Sequence, residues 1–181
     1  MHPFIADVVH RLERSRAGLR QAVDAVPAHV RGRRPTEDRW SANEVLEHLS
    51  IVETNFTAKV VEAIAAAREA GLGREQAAER PILPQTIETV LADRVNRRTA
   101  PQRAHPRGGL DNDAAWQAVE HARRGLVETL TAAEGLALSE VYTSHPAFGT
   151  MTVYQMSELI AAHEGRHTAQ IREIADAFVK T

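Results

Sequence analysis

Two histidines near the end of the sequence, His163 and His167, are four residues apart. That spacing places two side chains one above the other on the same face of an α-helix. Apolar residues mark this face as the buried one; they are Met156, Ile160, Ile171, Ile174 and Phe178. A third histidine, His48, falls on the inward face of another predicted helix, a face that carries Val45, Val52 and Phe56. The pattern therefore predicts that three imidazoles from two helices meet in the interior.

Three buried imidazoles are costly unless each ring nitrogen has a partner. A divalent cation would take one lone pair from each ring, and the other nitrogen of each ring would then donate to a protein oxygen. Three nitrogen ligands leave a position for water or substrate, as in catalytic zinc sites. The sequence contains no cysteine, so such a site must use nitrogen and oxygen ligands. Spacing alone leaves a second interpretation open, in which these histidines are hydrogen-bonded core residues without a metal.

The segment from His163 to His167 also matches the H-E-x-x-H pattern of zinc peptidases, with Glu164 in the position of the general base. Peptidases of that kind need a further ligand, normally downstream, and a cleft beside a sheet. The rest of the sequence, to Thr181, fits the same helix and lacks the extended H-x-x-G-x-x-H form. The peptidase interpretation is therefore disfavoured.

Helices must hold these histidines, and apolar residues at helical spacing predict four long ones. They run from Pro3 to Val26, from Ser41 to Gly71, from Asp113 to Gly135, and from Thr152 almost to the C-terminus. The second opens on a capping box, in which Ser41 and Glu44 satisfy each other's backbone amides, and the fourth opens on a similar pattern. No segment alternates as a β-strand does. We predict an all-α single domain over residues 1–181, a four-helix bundle with a long crossover between helices two and three.

The crossover is the weakest part of this prediction, because prolines and glycines interrupt it between Gly71 and Asp113. A short helix is expected around Gln85–Arg97. Five arginines make the segment locally basic: Arg94, Arg97, Arg98, Arg103 and Arg107. A solvated connecting arm is the favoured interpretation, and an anion-binding flap is the alternative.

Composition excludes several classes of function. The 22 basic and 24 acidic residues nearly balance, so no overall field attracts nucleic acid or an anionic membrane. The N-terminal residues do not form a signal peptide, and no apolar run is long enough to span a bilayer. These observations favour a cytoplasmic protein.

Three motifs resemble those of the DinB/YfiT-like family of metalloenzymes. They are the segment from Trp40 to Leu49 followed by Glu53, the loop His145–Thr152, and the segment His163–Ile171. All three occur in the order and at the separations of that family. The resemblance implies that His48, His163 and His167 bind a metal ion.

The resemblance also implies a function. Characterised members of the family are metal-dependent thiol transferases, which add thiols such as bacillithiol or mycothiol to small electrophilic molecules. The alternatives are a metal-dependent hydrolase and a non-catalytic bundle or dimer that the metal stabilises. Three imidazoles suit several divalent ions; we expect zinc first and nickel next. The expected partners are a small-molecule substrate and a second copy of the chain.

Other polar residues near the motifs have two interpretations each. Glu44 caps its helix rather than orienting His48, and Glu164 is an ordinary flank residue rather than a proton carrier. Gln170 and Arg166 either contact a metal-binding histidine or anchor a loop. His145 lies in a plain turn or reaches the substrate, with the turn favoured. The remaining candidates show no grouping; they are His10, His29, His105 and His121.

Overall fold

The computed structural model describes residues 1–96 and 99–179, and this part of the chain is predominantly helical. The α-helices are α1 (Pro3–Asp24), α2 (Ala42–Glu69), α3 (Gln85–Ala92), α4 (Asn112–Ala132) and α5 (Val153–Val179). Short 3₁₀ turns lie at Ala28–Val30, Gln102–Ala104 and Leu138–Glu140. The predicted all-α class is confirmed, and the four long predicted helices correspond to α1, α2, α4 and α5.

Both predicted capping patterns form. At the start of α2 the Glu44 amide donates to Ser41 Oγ at 3.2 Å, and the Ser41 amide donates to the Glu44 carboxylate at 2.8 Å. At the start of α5 the Thr152 amide donates to Gln155 Oε1 at 2.9 Å, and the Gln155 amide donates to Thr152 Oγ1 at 3.3 Å. These bonds satisfy amides that a helix end otherwise leaves free, and so fix where α2 and α5 begin.

The long helices pack as two parallel pairs, α1 beside α5 and α2 beside α4, with α2 also in contact with α5. Buried apolar residues form two groups. One joins the first turns of α1 and α5 to the last turns of α2 and α4, and includes Ile5, Leu126 and Met156. The other joins the opposite ends, and includes Leu19 and Ile171. Because α2 and α4 run in the same direction, the chain needs a long crossover to connect them.

A buried ion cluster lies between the two apolar groups. Arg16 of α1 and Arg123 of α4 both donate to Glu53 of α2 and to Glu164 of α5. The guanidinium groups also donate to the backbone, Arg16 to the Val119 carbonyl at 2.6 Å and Arg123 to the Leu12 carbonyl. All four charged side chains are therefore paired, which is what permits their burial in the middle of the helices.

The crossover keeps the exposure expected of a solvated connecting arm along much of its length, but it is also anchored to the helices at several points. Although much of the segment is exposed, Leu83, Leu91 and Ala104 are buried. Arg166 of α5 donates to the carbonyls of Leu91 and Asp93. Among the basic residues of the crossover, Arg94 pairs with Glu173 at 2.9 Å, whereas Arg97 and Arg98 lie outside the described residues. The short predicted helix, α3, ends at Ala92.

A β-hairpin contradicts the expectation that no strands occur. Strands β1 (Tyr142–His145) and β2 (Gly149–Thr152) pair antiparallel, with Tyr142 opposite Thr152 and His145 opposite Gly149. Gly149 has φ +77°, a conformation that favours glycine. Strands of four residues are too short to show a convincing alternation, which explains why the sequence did not predict them.

Membrane insertion through a helix finds no support in the fold. Within the described residues, none of the helices combines the length and the apolar character that crossing a bilayer requires.

Replacing Ser41 by alanine should destabilise the protein by about 1 kcal/mol, because the Glu44 amide would lose its acceptor at the start of α2. Urea unfolding followed by circular dichroism measures this free energy. The matched control is Ser50→Ala in the same helix, where the hydroxyl donates only to the Glu47 carbonyl. Equal losses for the two variants would contradict the capping role of Ser41.

Candidate metal centre

The three predicted histidines come together where α2 faces α5. The ring centroids of His48 and His167 are 4.8 Å apart, those of His48 and His163 are 5.4 Å apart, and those of His163 and His167 are 4.6 Å apart. One nitrogen from each ring lies within 4.8 Å of the others. His48 and His167 are buried, whereas His163 is partly exposed. The group could hold a metal ion and is accessible to solvent beside His163.

Protein oxygens fix the orientation of two of the rings. His48 Nδ1 lies 2.6 Å from the Ala104 carbonyl oxygen, and His167 Nδ1 lies 2.8 Å from Gln170 Oε1. Both oxygens only accept hydrogen bonds, so each Nδ1 must carry the proton and donate. Nε2 of His48 and of His167 therefore keeps its lone pair. This is the state in which imidazole binds a metal.

The environment keeps all three imidazoles neutral at physiological pH. Burial lowers the pKa of His163 to about 3, with a further contribution from His48. Burial also lowers the pKa of His167 well below its usual value, and that of His48 in the same direction, although the bond to Ala104 opposes the shift of His48. A neutral imidazole keeps a lone pair on one of its nitrogens, which a protonated imidazole does not.

The distance between His163 and His167 suits two nitrogens that bind the same metal ion. Their Nε2 atoms are 3.2 Å apart. Two nitrogens bound at about 2.0–2.1 Å to a tetrahedral ion lie roughly 3.3–3.4 Å apart, so the spacing needs almost no adjustment. Among the described residues, no other histidine and no aspartate or glutamate joins this group. The chain thus offers three ligands and leaves further positions on an ion for other molecules.

The sequence left two roles open for Gln170 and Arg166, and each residue has one of them. Gln170 orients His167, as described above, and Arg166 anchors the crossover through Leu91 and Asp93. Glu44 contributes to the helix cap and pairs with Arg34 at the protein surface. The capping interpretation of Glu44 is therefore confirmed.

Glu164 is not an ordinary flank residue, and that prediction is wrong. Its side chain is 1 % exposed and accepts from Arg16 Nε at 2.7 Å and from Arg123 at 3.2 Å. Neighbouring residues of a helix project about 100° apart, so His163 faces α2 while Glu164 faces α1 and α4. Both oxygens of Glu164 are engaged in the ion cluster. The residue does not occupy the position of a peptidase base.

His145 is the last residue of β1, so the turn that the sequence favoured begins directly after it. Its Nδ1 accepts hydrogen bonds from the amides of Ala147 and Phe148, at 3.1 and 3.2 Å. The ring stacks on Phe56 on one side and on Phe148 on the other. Burial, together with the positive charges of Lys59 and Arg103, lowers the pKa of His145 to about 4. The proton of this neutral ring is on Nε2.

Several contacts around the site could not be predicted from the sequence. Ala104 supplies the acceptor for His48, and its backbone carbonyl leaves no trace in residue type. Trp40 packs against the His48 ring at a centroid distance of 4.9 Å, and His105 packs against Trp40 at 5.9 Å. Glu47 accepts two amides of the crossover. The sequence did offer one hint: Glu47 directly precedes a histidine predicted to face inward, and a glutamate in such a place is seldom buried without partners.

Glu164→Gln should lower the free energy of unfolding by roughly 3–5 kcal/mol, because Glu53 would then be the one buried carboxylate that pairs with Arg16 and Arg123. It should leave metal binding intact, since Glu164 does not contact the three histidines. Urea unfolding and metal content measured on the same preparation check both parts. Glu128→Gln, on the exposed face of α4, is the control and should change stability by less than about 0.5 kcal/mol. Unchanged stability in Glu164→Gln would contradict the structural role.

Comparison with known proteins agrees with the motifs. The family model described as the DinB superfamily matches residues 11–171. The uncharacterized protein YuaE of Bacillus subtilis (strain 168) is 28% identical over 146 residues, which cover 79% of this chain and 82% of YuaE. No solved structure matches the chain. Because the family model covers most of the sequence and includes His48, His163 and His167, the chain belongs to the DinB superfamily.

Proposed function

We propose that the chain binds one divalent metal ion through His48, His163 and His167 and acts as a metal-dependent thiol S-transferase on a small electrophilic molecule. The observation that carries the proposal is the convergence of three neutral imidazoles, two of which hold their Nδ1 protons on protein oxygens. Without a cation, the Nε2 atoms of His163 and His167, 3.2 Å apart, share one hydrogen bond, in which one ring donates to the other. A cation would bind one lone pair from each of the three rings.

The number of ligands supports a catalytic rather than a structural metal. Structural zinc sites are closed by four protein ligands, whereas catalytic sites keep a position for water or substrate. The described residues contribute three, and the partly exposed His163 lies on the accessible side. Zinc is our first choice of ion and nickel our second, since both accept imidazole nitrogen.

The choice of a thiol over water rests on the carboxylates. A metal ion lowers the pKa of a thiol that coordinates it, so the thiol needs no separate base. Metal-dependent hydrolysis commonly uses a nearby carboxylate as general base. Here the two carboxylates next to the ligands in sequence are both engaged, Glu47 by backbone amides and Glu164 by arginines. The chain has no cysteine, so a thiol nucleophile would have to come from a cosubstrate.

Residues beside the centre favour a thiol that carries negative charge. Lys59 and Arg103 lie close enough to His145 to lower its pKa, and Arg103 directly precedes the Ala104 that contacts His48. His145 itself presents an Nε2 proton, because its Nδ1 accepts from the turn. We assign these three groups to binding carboxylates of a low-molecular-weight thiol.

Metal binding is the first requirement of the proposal. The purified protein, incubated with zinc or nickel and dialysed, should retain about one ion per chain by elemental analysis. His48→Ala, His163→Ala and His167→Ala should each reduce this content to a small fraction. The matched control, His121→Ala on the exposed face of α4, should bind as the unaltered protein does. A protein that retains no ion, or equal retention by all variants, would contradict the proposal.

Thiol transfer is the second requirement. The metal-loaded protein should accelerate conjugation of a low-molecular-weight thiol to a bimane electrophile, with the conjugate identified by mass spectrometry. The metal-free protein and His163→Ala should not exceed the uncatalysed rate. Ester hydrolysis without thiol would instead favour the hydrolase. Metal-dependent thermal stability with neither activity would favour the non-catalytic bundle.

A further inference from the structure

Glu47 is a buried carboxylate that the proposed chemistry does not use. Its side chain is 8 % exposed and directly precedes His48 in α2. One carboxylate oxygen accepts from the Arg107 amide at 2.9 Å, and the other accepts from the Gly108 amide, also at 2.9 Å. Both partners are backbone groups of the crossover. Glu47 therefore binds a loop rather than a ligand.

The loop that Glu47 binds is residues 100–108, which we call the clip. Its own hydrogen bonds make it compact: the Ala104 amide donates to the Pro101 carbonyl at 2.8 Å, and the His105 amide donates to the Gln102 carbonyl at 3.1 Å. His105 Nε2 also lies 2.8 Å from the Ala100 carbonyl oxygen. These bonds hold residues 100–105 together, and Pro106, which restricts the backbone, joins them directly to the Arg107 and Gly108 amides.

The clip contacts α2 at two consecutive residues. Glu47 holds its far end through Arg107 and Gly108, and His48 donates to the Ala104 carbonyl in its middle. Ala104 is buried, and Trp40 fills the space between the rings of His48 and His105. The position of the Ala104 oxygen therefore depends on the anchor at Glu47.

We propose that Glu47 is a positioning residue for the metal centre, acting through the clip. By holding Arg107 and Gly108, it places the Ala104 carbonyl where it fixes the protonation and orientation of the His48 ring. This inference rests on the proposed metal binding by His48. Partners of a ligating histidine typically change metal affinity by about 10- to 100-fold when they are lost.

Glu47→Gln tests the proposal with little change of shape. A glutamine side chain has one carbonyl oxygen, so it can accept from only one of the two amides, and its NH₂ group opposes the other. Zinc affinity is measured by competition with a chromophoric chelator, well below the unfolding temperature. Glu47→Gln should weaken zinc binding by about 10- to 100-fold. The matched control is Glu44→Gln, which weakens the cap of the same helix and should change zinc affinity by less than about twofold.

Hydrogen exchange gives a readout that does not depend on activity. Because coupling between two sites is reciprocal, zinc should slow amide exchange in residues 104–108 of the unaltered protein. In Glu47→Gln these amides should exchange faster, with and without zinc. If Glu47 only stabilised the fold, its replacement would speed amide exchange throughout the protein and would leave the zinc affinity equal to that of the control variant.

A second variant keeps the test decisive if Glu47→Gln does not fold. Gly108 has φ +78°, so Gly108→Ala strains the backbone at the amide that donates a hydrogen bond to Glu47. Its control is Gly135→Ala, where φ is +92° after the end of α4. Gly108→Ala should weaken zinc binding, and Gly135→Ala should not.

The outcomes separate this inference from the proposed function. If the unaltered protein binds no zinc, the proposed function fails. If the unaltered protein binds zinc, and the variants at Glu47 and Gly108 bind it as tightly as their controls, the positioning role is overturned and the metal centre stands.

Discussion

The interior of this protein depends on satisfying polar groups that are buried between its helices. The ion cluster separates the two groups of buried apolar residues, and His48 lies beside Leu46 and Leu49 of the second group. Each buried group there needs a partner, since an unpaired one would cost several kcal/mol. Arginine and glutamate provide that pairing on the side of α1 and α4. On the side of α2, backbone and amide oxygens satisfy two imidazole Nδ1 atoms, and the Nε2 atoms of His163 and His167 lie 3.2 Å apart, where they share a hydrogen bond or a cation.

Helix α5 connects the two polar sets. The rotation of about 100° between consecutive residues sends His163 toward α2 and Glu164 toward the arginines. Any shift in the rotation of α5 would disturb both sets together, because neither can change partners independently. The cap at Thr152 and Gln155, at the start of α5, fixes where this helix begins.

The parts of this arrangement that could be predicted from the sequence are those that local spacing determines. The period of apolar residues and the Ser41 cap were sufficient for the long helices, and the same period placed three histidines on inward faces. The rest depends on which segments meet after folding. No spacing rule connects Ala104 to His48, 56 positions earlier, or Arg123 to Glu53, 70 positions earlier. Glu164 illustrates the difference: its position on α5 was predictable, but its two arginine partners come from other helices.

The same geometry explains why a short motif is a poor guide to chemistry here. In an H-E-x-x-H peptidase the glutamate must reach the water that the metal activates. In this chain the segment has the required residues, yet Arg16 and Arg123 bind both oxygens of the glutamate, which projects about 100° around α5 from His163. Moving Glu164 to the histidines would leave the two arginines with Glu53 as their one buried carboxylate, at a cost of about 3–5 kcal/mol. The ion cluster thus removes a general base from the candidate metal centre. A nucleophile that the metal ion itself would activate, such as the thiol that we propose, is compatible with a site that lacks this base.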